Sequence, residues 1–429
     1  MKQIRKSIFI IPIVVVIVAC NVFSPVSNNL ETSVPVGTET QIVSTIKPIL
    51  PTKSAIPTAS PTDSAKSCPD SQQKLPVDIK GEFVLSKTYI LYRPALEAHT
   101  GPAYILIPST GDTIELPSST KDEMSDFSIS PDKTKLAYYA QQSGNDGRWF
   151  IVGNNGKLFK FFSGKQYPAS NWLSVLEWLD NNRLLISKFT HQNPYSSFVF
   201  NPFTDKTEQE LLPDYSDIFI GYSGELSTWE KYGLPETVYS PDLSMVVYPK
   251  NPNTIILWDI KAKNQIAELV DKSASSHAPL WLSNGKEFLI DVTAQNTTDQ
   301  WYQDELISVG VDGKIRQLTD LANSNYVNVA IQNYSESSDE RYIAFWFAQV
   351  NSGPSRLAVY DTLAETTKVF CTIVGGYIPP IWSPSEHQLL VDGKFDNLDN
   401  YGTIFVDVES SLLAEVEKGV VPGGWMVAP

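Results

Sequence analysis

The feature that most constrains the fold of this chain is a short repeated unit: an apolar strand, a turn rich in Ser, Pro, Asp, Asn or Gly, and a second apolar strand. Its copies include "FSISPDKTKLAYYA", "LEWLDNNRLLIS", "TVYSPDLSMVVYP", "APLWLSNGKEFLID", "NYSESSDERYIAFW" and "PPIWSPSEHQLLVD". Each copy is followed by a third strand and a charged turn, as in "ELISVGVDGKIRQL". The repeat predicts four-stranded antiparallel units of about 45–60 residues, the scale of β-propeller blades.

The two ends of the repeated region complement each other. A last copy, "VVPGGWMVAP", aligns Trp425 with Trp382, but no second strand follows it, while the first unit, "GEFVLSKTYILYR", has no strand before it. A closed ring without open edges shares one blade between these ends. We expect an all-β fold of seven blades, with the C-terminal strand joining the first blade. Six or eight blades are alternatives, because the segment 212–236 is long enough to contain an unrecognised structural element or to be mistaken for one. The equivalent positions, here called anchors, are Ile129, Trp178, Tyr239, Trp281, Glu336, Trp382 and Trp425.

The copies "ISPDKTKLAYY", "YSPDLSMVVY" and "WSPSEHQLL" resemble the WD40-like (PD40) repeats of TolB-type propellers, whose core reads "WSPDGKxLAF". The resemblance covers the chain from about Lys80 onward, and it departs from the pattern at Glu336. It implies a propeller and extracytoplasmic interaction, and it carries no catalytic residues. We expect Trp382 and its equivalents to fill the wedge between adjacent sheets. The Ser-Pro-Asp turns should reverse the chain tightly, since Pro fixes φ and Asp bonds its own backbone.

The N-terminus has the pattern of a secretory leader. Lys2, Arg5 and Lys6 precede the apolar run "SIFIIPIVVVIVA", which is too short for a membrane span. Its ending "IVAC" resembles the lipobox of bacterial lipoproteins, which implies removal of residues 1–19 and diacylation of Cys20. An ordinary signal peptide or an anchor helix is the alternative.

Residues 20–75 are rich in Ser, Thr and Pro and nearly free of aromatics, so we expect a disordered stalk. Residues 76–429 should form the propeller. The chain has a formal net charge of −15, and removal of the leader takes away three more positive charges. This charge argues against nucleic acid as a partner, and against any membrane contact other than the lipid at Cys20.

The long connections between strands B and C and between strands D and A should share one face of the ring, where binding residues are expected. Aromatic rings beside carboxylates and amides on these loops suit stacking on sugars or gripping peptides. The candidate binding residues are Trp229, Tyr232, Trp301, Tyr302, Phe395 and Tyr401, with Tyr195 and Tyr377 left open.

Signals for chemistry are sparse, and no catalytic residue, cofactor or metal site is predicted. The four histidines have no zinc spacing, and no GxSxG motif or glycine-rich phosphate loop occurs. Asp396 and Asp399 supply oxygen ligands on one loop, but such Asp/Asn loops are more often turns. Cys68 and Cys371 would come together in a closed ring, and a disulfide between them is a hypothesis; the alternative is two free thiols.

The sequence predicts a membrane-anchored, extracytoplasmic binding protein, at the cell surface or in the periplasm, that recognises a protein or peptide on the loop face. A receptor for a glycan or another small ligand is one alternative. A propeller-type enzyme acting on a polysaccharide is the other.

Overall fold

The computed structural model describes the repeated strands and turns, together with two short segments before them. The described residues are 44–46, 71–74, 82–86, 103–117, 123–141, 148–163, 174–188, 196–211, 238–251, 254–270, 279–296, 301–321, 328–349, 354–376, 378–396 and 401–427. All of them belong to one unit, residues 43–429, and every regular element among them is a β-strand. The predicted leader, Cys20 and most of the predicted stalk lie outside these residues.

The strands are numbered in chain order. The first fifteen are β1 (Ser44–Ile46), β2 (Ser71–Lys74), β3 (Glu82–Ser86), β4 (Ala103–Ile107), β5 (Asp112–Glu115), β6 (Glu123–Ile129), β7 (Lys135–Gln141), β8 (Arg148–Gly153), β9 (Leu158–Ser163), β10 (Ser174–Trp178), β11 (Leu184–Lys188), β12 (Ser196–Asn201), β13 (Lys206–Leu211), β14 (Val238–Tyr239) and β15 (Met245–Asn251). The others are β16 (Thr254–Asp259), β17 (Asn264–Val270), β18 (Leu280–Trp281), β19 (Glu287–Asn296), β20 (Trp301–Gly310), β21 (Ile315–Gln317), β22 (Val329–Glu336), β23 (Tyr342–Gln349), β24 (Arg356–Asp361), β25 (Thr366–Gly375), β26 (Ile381–Trp382), β27 (Gln388–Phe395), β28 (Gly402–Asp407), β29 (Leu412–Lys418) and β30 (Val421–Met426).

These strands pair antiparallel in groups of four, which we number as blades and whose strands we letter A to D. Blade 1 consists of β30, β3, β4 and β5, and blades 2 to 7 take β6–β9, β10–β13, β14–β17, β18–β21, β22–β25 and β26–β29. This confirms the predicted all-β fold of four-stranded antiparallel blades. Seven blades are counted among the described residues; residues 212–237, between blades 3 and 4, lie outside them, so the predicted total stays a prediction.

Blade 1 joins the two ends of the propeller. Strand β30 pairs antiparallel with β3, placing Trp425 opposite Phe83 and Gly424 opposite Val84. The ladder satisfies the backbone groups of a C-terminal strand that would otherwise present an open edge. The predicted closure by the C-terminal strand is confirmed.

The hydrophobic core is divided among the seams between blades. Successive side chains of a strand point to opposite faces of its sheet, so Tyr104 and Leu106 pack toward blade 7 while Ala103 and Ile105 pack toward blade 2. Seven clusters of buried side chains join the blades, one for each neighbouring pair from blades 1–2 round to blades 7–1. Because the clusters return to blade 1, the described blades form a closed ring.

The turns between strands A and B have the chemistry that the sequence predicts. In blade 2 the Asp132 carboxylate accepts hydrogen bonds from Ser130 Oγ at 2.6 Å and from the Thr134 amide at 3.1 Å. Asp242 makes the same contacts in blade 4. The residue after each aspartate turns the chain with a positive φ, as at Lys133 with 59°. These hydrogen bonds, between residues of the same turn, stabilise its conformation.

Three pairings extend the blades beyond four strands. Strand β1 runs parallel to β17 on the outer edge of blade 4, and β2 runs parallel to β29 on the outer edge of blade 7. Strand β25 also pairs with β27 through Ile373 and Phe395, which links blades 6 and 7. Both β1 and β2 come from residues 20–75, whose description as a stalk stays a prediction.

Candidate functional site

The two faces of the ring differ in the uniformity of their connections. Every A–B turn of blades 2 to 7 has five residues between its strands, and every C–D turn has four. The B–C and D–A connections, on the opposite face, range from two to 26 residues. Backbone bonds also tie the short turns together: the Thr362 amide donates to Arg341 O at 2.8 Å, and the Val408 amide to His387 O at 2.9 Å. We call these sides the turn face and the loop face.

Four predicted binding aromatics have no described side chain. Trp229 and Tyr232 lie outside the described residues. Trp301 and Tyr302 were expected in a loop. Instead they begin strand β20, where they pair with Asn296 and Gln295 of β19. The loop placement was wrong because this hairpin continues beyond the apolar part of the repeat.

Phe395 and Tyr401 have different positions at the same connection. Phe395 ends strand β27 and is only 5% exposed, within the cluster between blades 6 and 7, so its placement on an exposed loop was wrong. Tyr401 is half-buried, and the Lys394 ammonium lies 5.3 Å from its ring centroid. Asp396 is exposed and pairs with Arg356 at 3.3 Å. Asp399 lies outside the described residues, as do Tyr195 and Tyr377.

Cys371 is disulfide-bonded. Its partner lies outside the described residues, so its pairing with Cys68 stays a prediction. Within the described ranges, no group of three or more His, Cys, Asp and Glu side chains could hold a metal ion. No helix in this part of the chain is long and apolar enough to cross a membrane.

The tryptophan anchors close their seams in one common way. Each indole is at most 8% exposed, and its N–H donates to the carbonyl of the residue before the anchor of the preceding blade. The pairs are Trp178 with Ser128 at 3.0 Å, Trp281 with Val238 at 3.0 Å, Trp382 with Ser335 at 3.2 Å, and Trp425 with Ile381 at 3.0 Å. The predicted packing of these rings between adjacent sheets is confirmed.

The seam between blades 5 and 6 is different, because its anchor is Glu336. One carboxylate oxygen, Oε2, accepts hydrogen bonds from the Ser283 amide at 2.7 Å and from Ser283 Oγ at 2.6 Å. Among the described residues the other oxygen, Oε1, has no hydrogen-bond partner. A shorter, charged side chain thus occupies the position where the tryptophan seams hold a buried ring.

A cavity of about 220 Å³ opens at this position on the turn face. Leu282, Leu318 and Ile343 form a buried apolar floor. Polar and charged side chains surround it at Asn284, Glu287, Arg316, Glu336, Glu340 and Thr362. The cavity therefore combines an apolar surface with a charged rim.

The rim of the cavity has an excess of negative charge. Among the described residues, Arg316 is the one cation that lines the cavity, and it lies 3.6 Å from Glu287. Glu336 and Glu340 have no ion-pair partner in the same part of the chain. Burial, together with the negative charges of Glu340 and Asp339, raises the pKa of Glu336, although the bonds from Ser283 oppose the shift. A positive charge beside Glu336 would favour its ionised form. The arrangement is suited to holding a cationic group against an apolar surface.

The sequence marked this site only indirectly. Glu336 stood out as an anchor that departs from the repeat, but the candidate binding residues were sought on the loop face. Arg316 and Leu318 come from strand β21 of the neighbouring blade, and nothing local in the sequence connects them with Glu336.

No family model and no curated protein sequence matches this chain. Among solved structures, the β-propeller domain of Cps50 (Swd1) from Myceliophteria thermophila is 11% identical, covers 75% of this chain and 89% of its own, and has a TM-score of 0.42. The β-propeller domain of the Trilobed protease from Pyrococcus furiosus, described as having an open velcro topology, is 11% identical to this chain. The match covers 70% of this chain and 84% of that domain, with a TM-score of 0.45. TolB from Acinetobacter baumannii is 12% identical to this chain. The match covers 77% of this chain and 80% of TolB, with a TM-score of 0.42. At these scores the likeness carries no argument about function, and the strand pairing of the chain itself shows the β-propeller.

Proposed function

We propose that this chain is a non-enzymatic binding protein that recognises a protein or peptide partner on the loop face of its propeller. In this proposal a lipid on Cys20 anchors it to a membrane outside the cytoplasm, and residues 20–75 hold the propeller away from the bilayer. Its acidic charge keeps nucleic acid and anionic lipid surfaces from being partners.

The contrast between the two faces carries this proposal. The turns of one face keep one length in every blade and are closed by their own hydrogen bonds, as stability requires. The connections of the other face vary more than tenfold in length on the same scaffold. Variable loops displayed by a rigid framework are where binding residues concentrate.

Site-specific photo-cross-linking in the native membrane tests this proposal. A photoreactive amino acid replaces Tyr401 on the loop face, and the matched control carries it at Phe203, which is 40% exposed in the C–D turn of blade 3. We expect a discrete protein adduct from position 401 and none from position 203. Adducts from position 203 alone would place the partner on the turn face and reject the proposal.

The alternatives give other results in the same preparation. Loss of the adduct after glycosidase treatment of the membranes would favour a glycan receptor. Turnover of a polysaccharide by the purified chain would favour the enzyme.

The anchor needs a separate experiment, because the partner could bind without it. Replacing Cys20 with Ala removes the only sulfur that the lipobox offers for diacylation. We expect the C20A protein to lose incorporation of radiolabelled palmitate and to leave the detergent phase on partitioning. Labelling of C20A equal to that of the unchanged chain would show that the lipid is attached elsewhere, and no labelling of either protein would show that it is absent.

A further inference from the structure

We propose that the cavity between blades 5 and 6 binds the side chain of a lysine or arginine from a partner polypeptide. The site lies on the turn face, and the proposal is independent of the loop-face function argued above. It starts from the single anchor that is acidic. In the tryptophan seams a ring fills the wedge and donates its N–H to the preceding blade; here Glu336 leaves the wedge open.

The size of the cavity limits what can enter it. Pockets for small-molecule ligands have volumes of about 300–1,000 Å³. At about 220 Å³, this cavity is smaller and suits one inserted side chain rather than a whole small molecule. The turns that frame it are tied to their own blades by hydrogen bonds, such as that from the Val311 amide to Lys286 O at 2.8 Å.

The lining selects the chemistry of that side chain. Leu282, Leu318 and Ile343 offer apolar contact to a methylene stem, and Glu336 offers Oε1 to a cationic head. Lysine and arginine combine these two parts, since their stems bury along apolar surface while the charged group keeps polar partners. The unpaired charges of Glu336 and Glu340 attract a cation and repel an acidic residue. Arg316 does not neutralise them, because it already lies beside Glu287.

The Ile343 side chain on the cavity floor supplies a direct readout. The full chain, in detergent micelles and labelled with ¹³C at isoleucine δ1 methyls, is titrated with the capped pentapeptide Gly-Gly-Lys-Gly-Gly. The same peptide with arginine is the second ligand. The peptide with norleucine, which keeps the alkyl stem and lacks the charge, is the control ligand.

We expect the lysine and arginine peptides to shift the Ile343 methyl resonance in a saturable way, and the norleucine peptide to bind at least tenfold more weakly. Because the contact is between charges, the affinity should fall as salt is added. No shift of Ile343 with the basic peptides up to 20 mM, or equal shifts with lysine and norleucine, would overturn the proposal.

Two variants test the role of Glu336. E336Q removes the charge while keeping the shape, and should weaken the lysine peptide about tenfold or more. E336W installs the residue of the four tryptophan seams and should abolish binding by filling the cavity; if E336W does not fold, E336Q carries the test. The control variant is E365Q, an exposed carboxylate in the C–D turn of blade 6 that does not line the cavity. Equal affinities in E336Q, E365Q and the unchanged chain would reject the site while leaving the loop-face proposal untouched.

Discussion

The indole nitrogen of Trp425 lies 3.0 Å from the carbonyl oxygen of Ile381, so the C-terminal strand is bonded to blade 7 as well as paired with β3. The same bond joins Trp382 to Ser335 one seam earlier, at 3.2 Å. Closure of the ring therefore repeats a contact used elsewhere in the propeller. Strand β30 is therefore held by backbone pairing with β3 in blade 1 and by the buried Trp425 ring against blade 7.

Replacing Trp425 separates these contributions. Trp425→Phe keeps an aromatic ring but leaves the Ile381 carbonyl without its donor, which should cost about 1–3 kcal/mol of unfolding free energy. Trp425→Ala also empties the wedge and should cost about 3–5 kcal/mol. Urea unfolding followed by circular dichroism measures both, with Leu363→Ala, an exposed site, as the neutral control. Equal stability of Trp425→Phe and the unchanged chain would mean that the bond contributes nothing.

Gly424 governs how closely blades 1 and 2 approach. Its φ is +146°, and a Cβ there would lie 2.3 Å from Ile129 Cδ1. Gly424→Ala must therefore strain the backbone and push Ile129 away, at an expected cost of about 2–4 kcal/mol. Gly111→Ala is the matched control, since its φ is +75° and no atom lies within 4 Å of the added carbon.

The difference between these two glycine variants measures the contact with Ile129 together with any difference in backbone strain between φ +146° and φ +75°. Gly111→Ala should cost about 1 kcal/mol, from backbone strain alone. Thermal unfolding of both variants gives the comparison. If they lose the same stability, the approach of Ile129 is not a constraint on this seam.

His387 links blades 6 and 7 by bridging two carboxylates. Its Nε2 lies 2.7 Å from Asp339 Oδ2, its Nδ1 lies 2.7 Å from Glu409 Oε1, and the Tyr342 ring meets it edge-on at 4.7 Å. Burial lowers the pKa of His387, but hydrogen bonds to the two carboxylates outweigh it, and the net direction is upward. For Asp339, bonds from Ser337 and His387 overcome burial and lower the pKa to about 2.

These opposite shifts define a pH window for the contact. The stability from His387 is fully present below about pH 6.5 and is lost as the pH rises through its raised pKa. The stability from Asp339 is present above about pH 4 and is lost as the pH falls toward about 2. His387→Gln should therefore cost most between pH 4 and 6.5, by about 0.5–1 kcal/mol because the groups are partly exposed. Unfolding at pH 5.5 and 8.5 checks this; an equal loss at both would show that the charge of His387 is irrelevant.

The sequence predicted the parts of this fold that local pattern determines. Six of the seven anchors end the A strands of their blades, and Trp425 lies one residue before the end of β30. The Ser-Pro-Asp turns at Asp132 and Asp242 form the internal hydrogen bonds that were expected. The sequence also predicted that Trp382 and its equivalents pack between adjacent sheets. These features depend on residues within a dozen positions of one another, which a single sequence displays.

What the sequence did not predict depends on how far strands continue and on which blade lies beside which. Phe395 was expected on a loop, yet β27 runs on to it and buries it, because the hairpin is longer than its apolar core. The cavity beside Glu336 needs Arg316 and Leu318 from blade 5 to meet Glu340 from blade 6. Such a meeting is a property of the closed ring, and no spacing in the chain reveals it.

Asp392 gives the last prediction, because its carboxyl group is buried and has no hydrogen-bond or ion-pair partner among the described residues. It is 4% exposed in strand β27, on the side of the sheet that also carries Leu390 of the seam between blades 7 and 1. No hydrogen bond or ion pair joins its side chain to the described residues, and burial raises its pKa to about 7. The folded state thus prefers protonated Asp392, so this group lowers stability as the pH rises from about 4 toward 7.

Asp392→Asn removes that ionisation while keeping the shape of the side chain. Since one pKa unit corresponds to about 1.4 kcal/mol, the variant should be more stable than the unchanged chain by up to about 3–4 kcal/mol at pH 8, and nearly equal to it at pH 4. Asp112→Asn, at an exposed residue beside a turn, is the control and should stay within about 0.5 kcal/mol at both values. Urea unfolding at the two pH values measures the difference. A gain at pH 4 as large as that at pH 8 would show that packing, and not the buried charge, limits the closing seam.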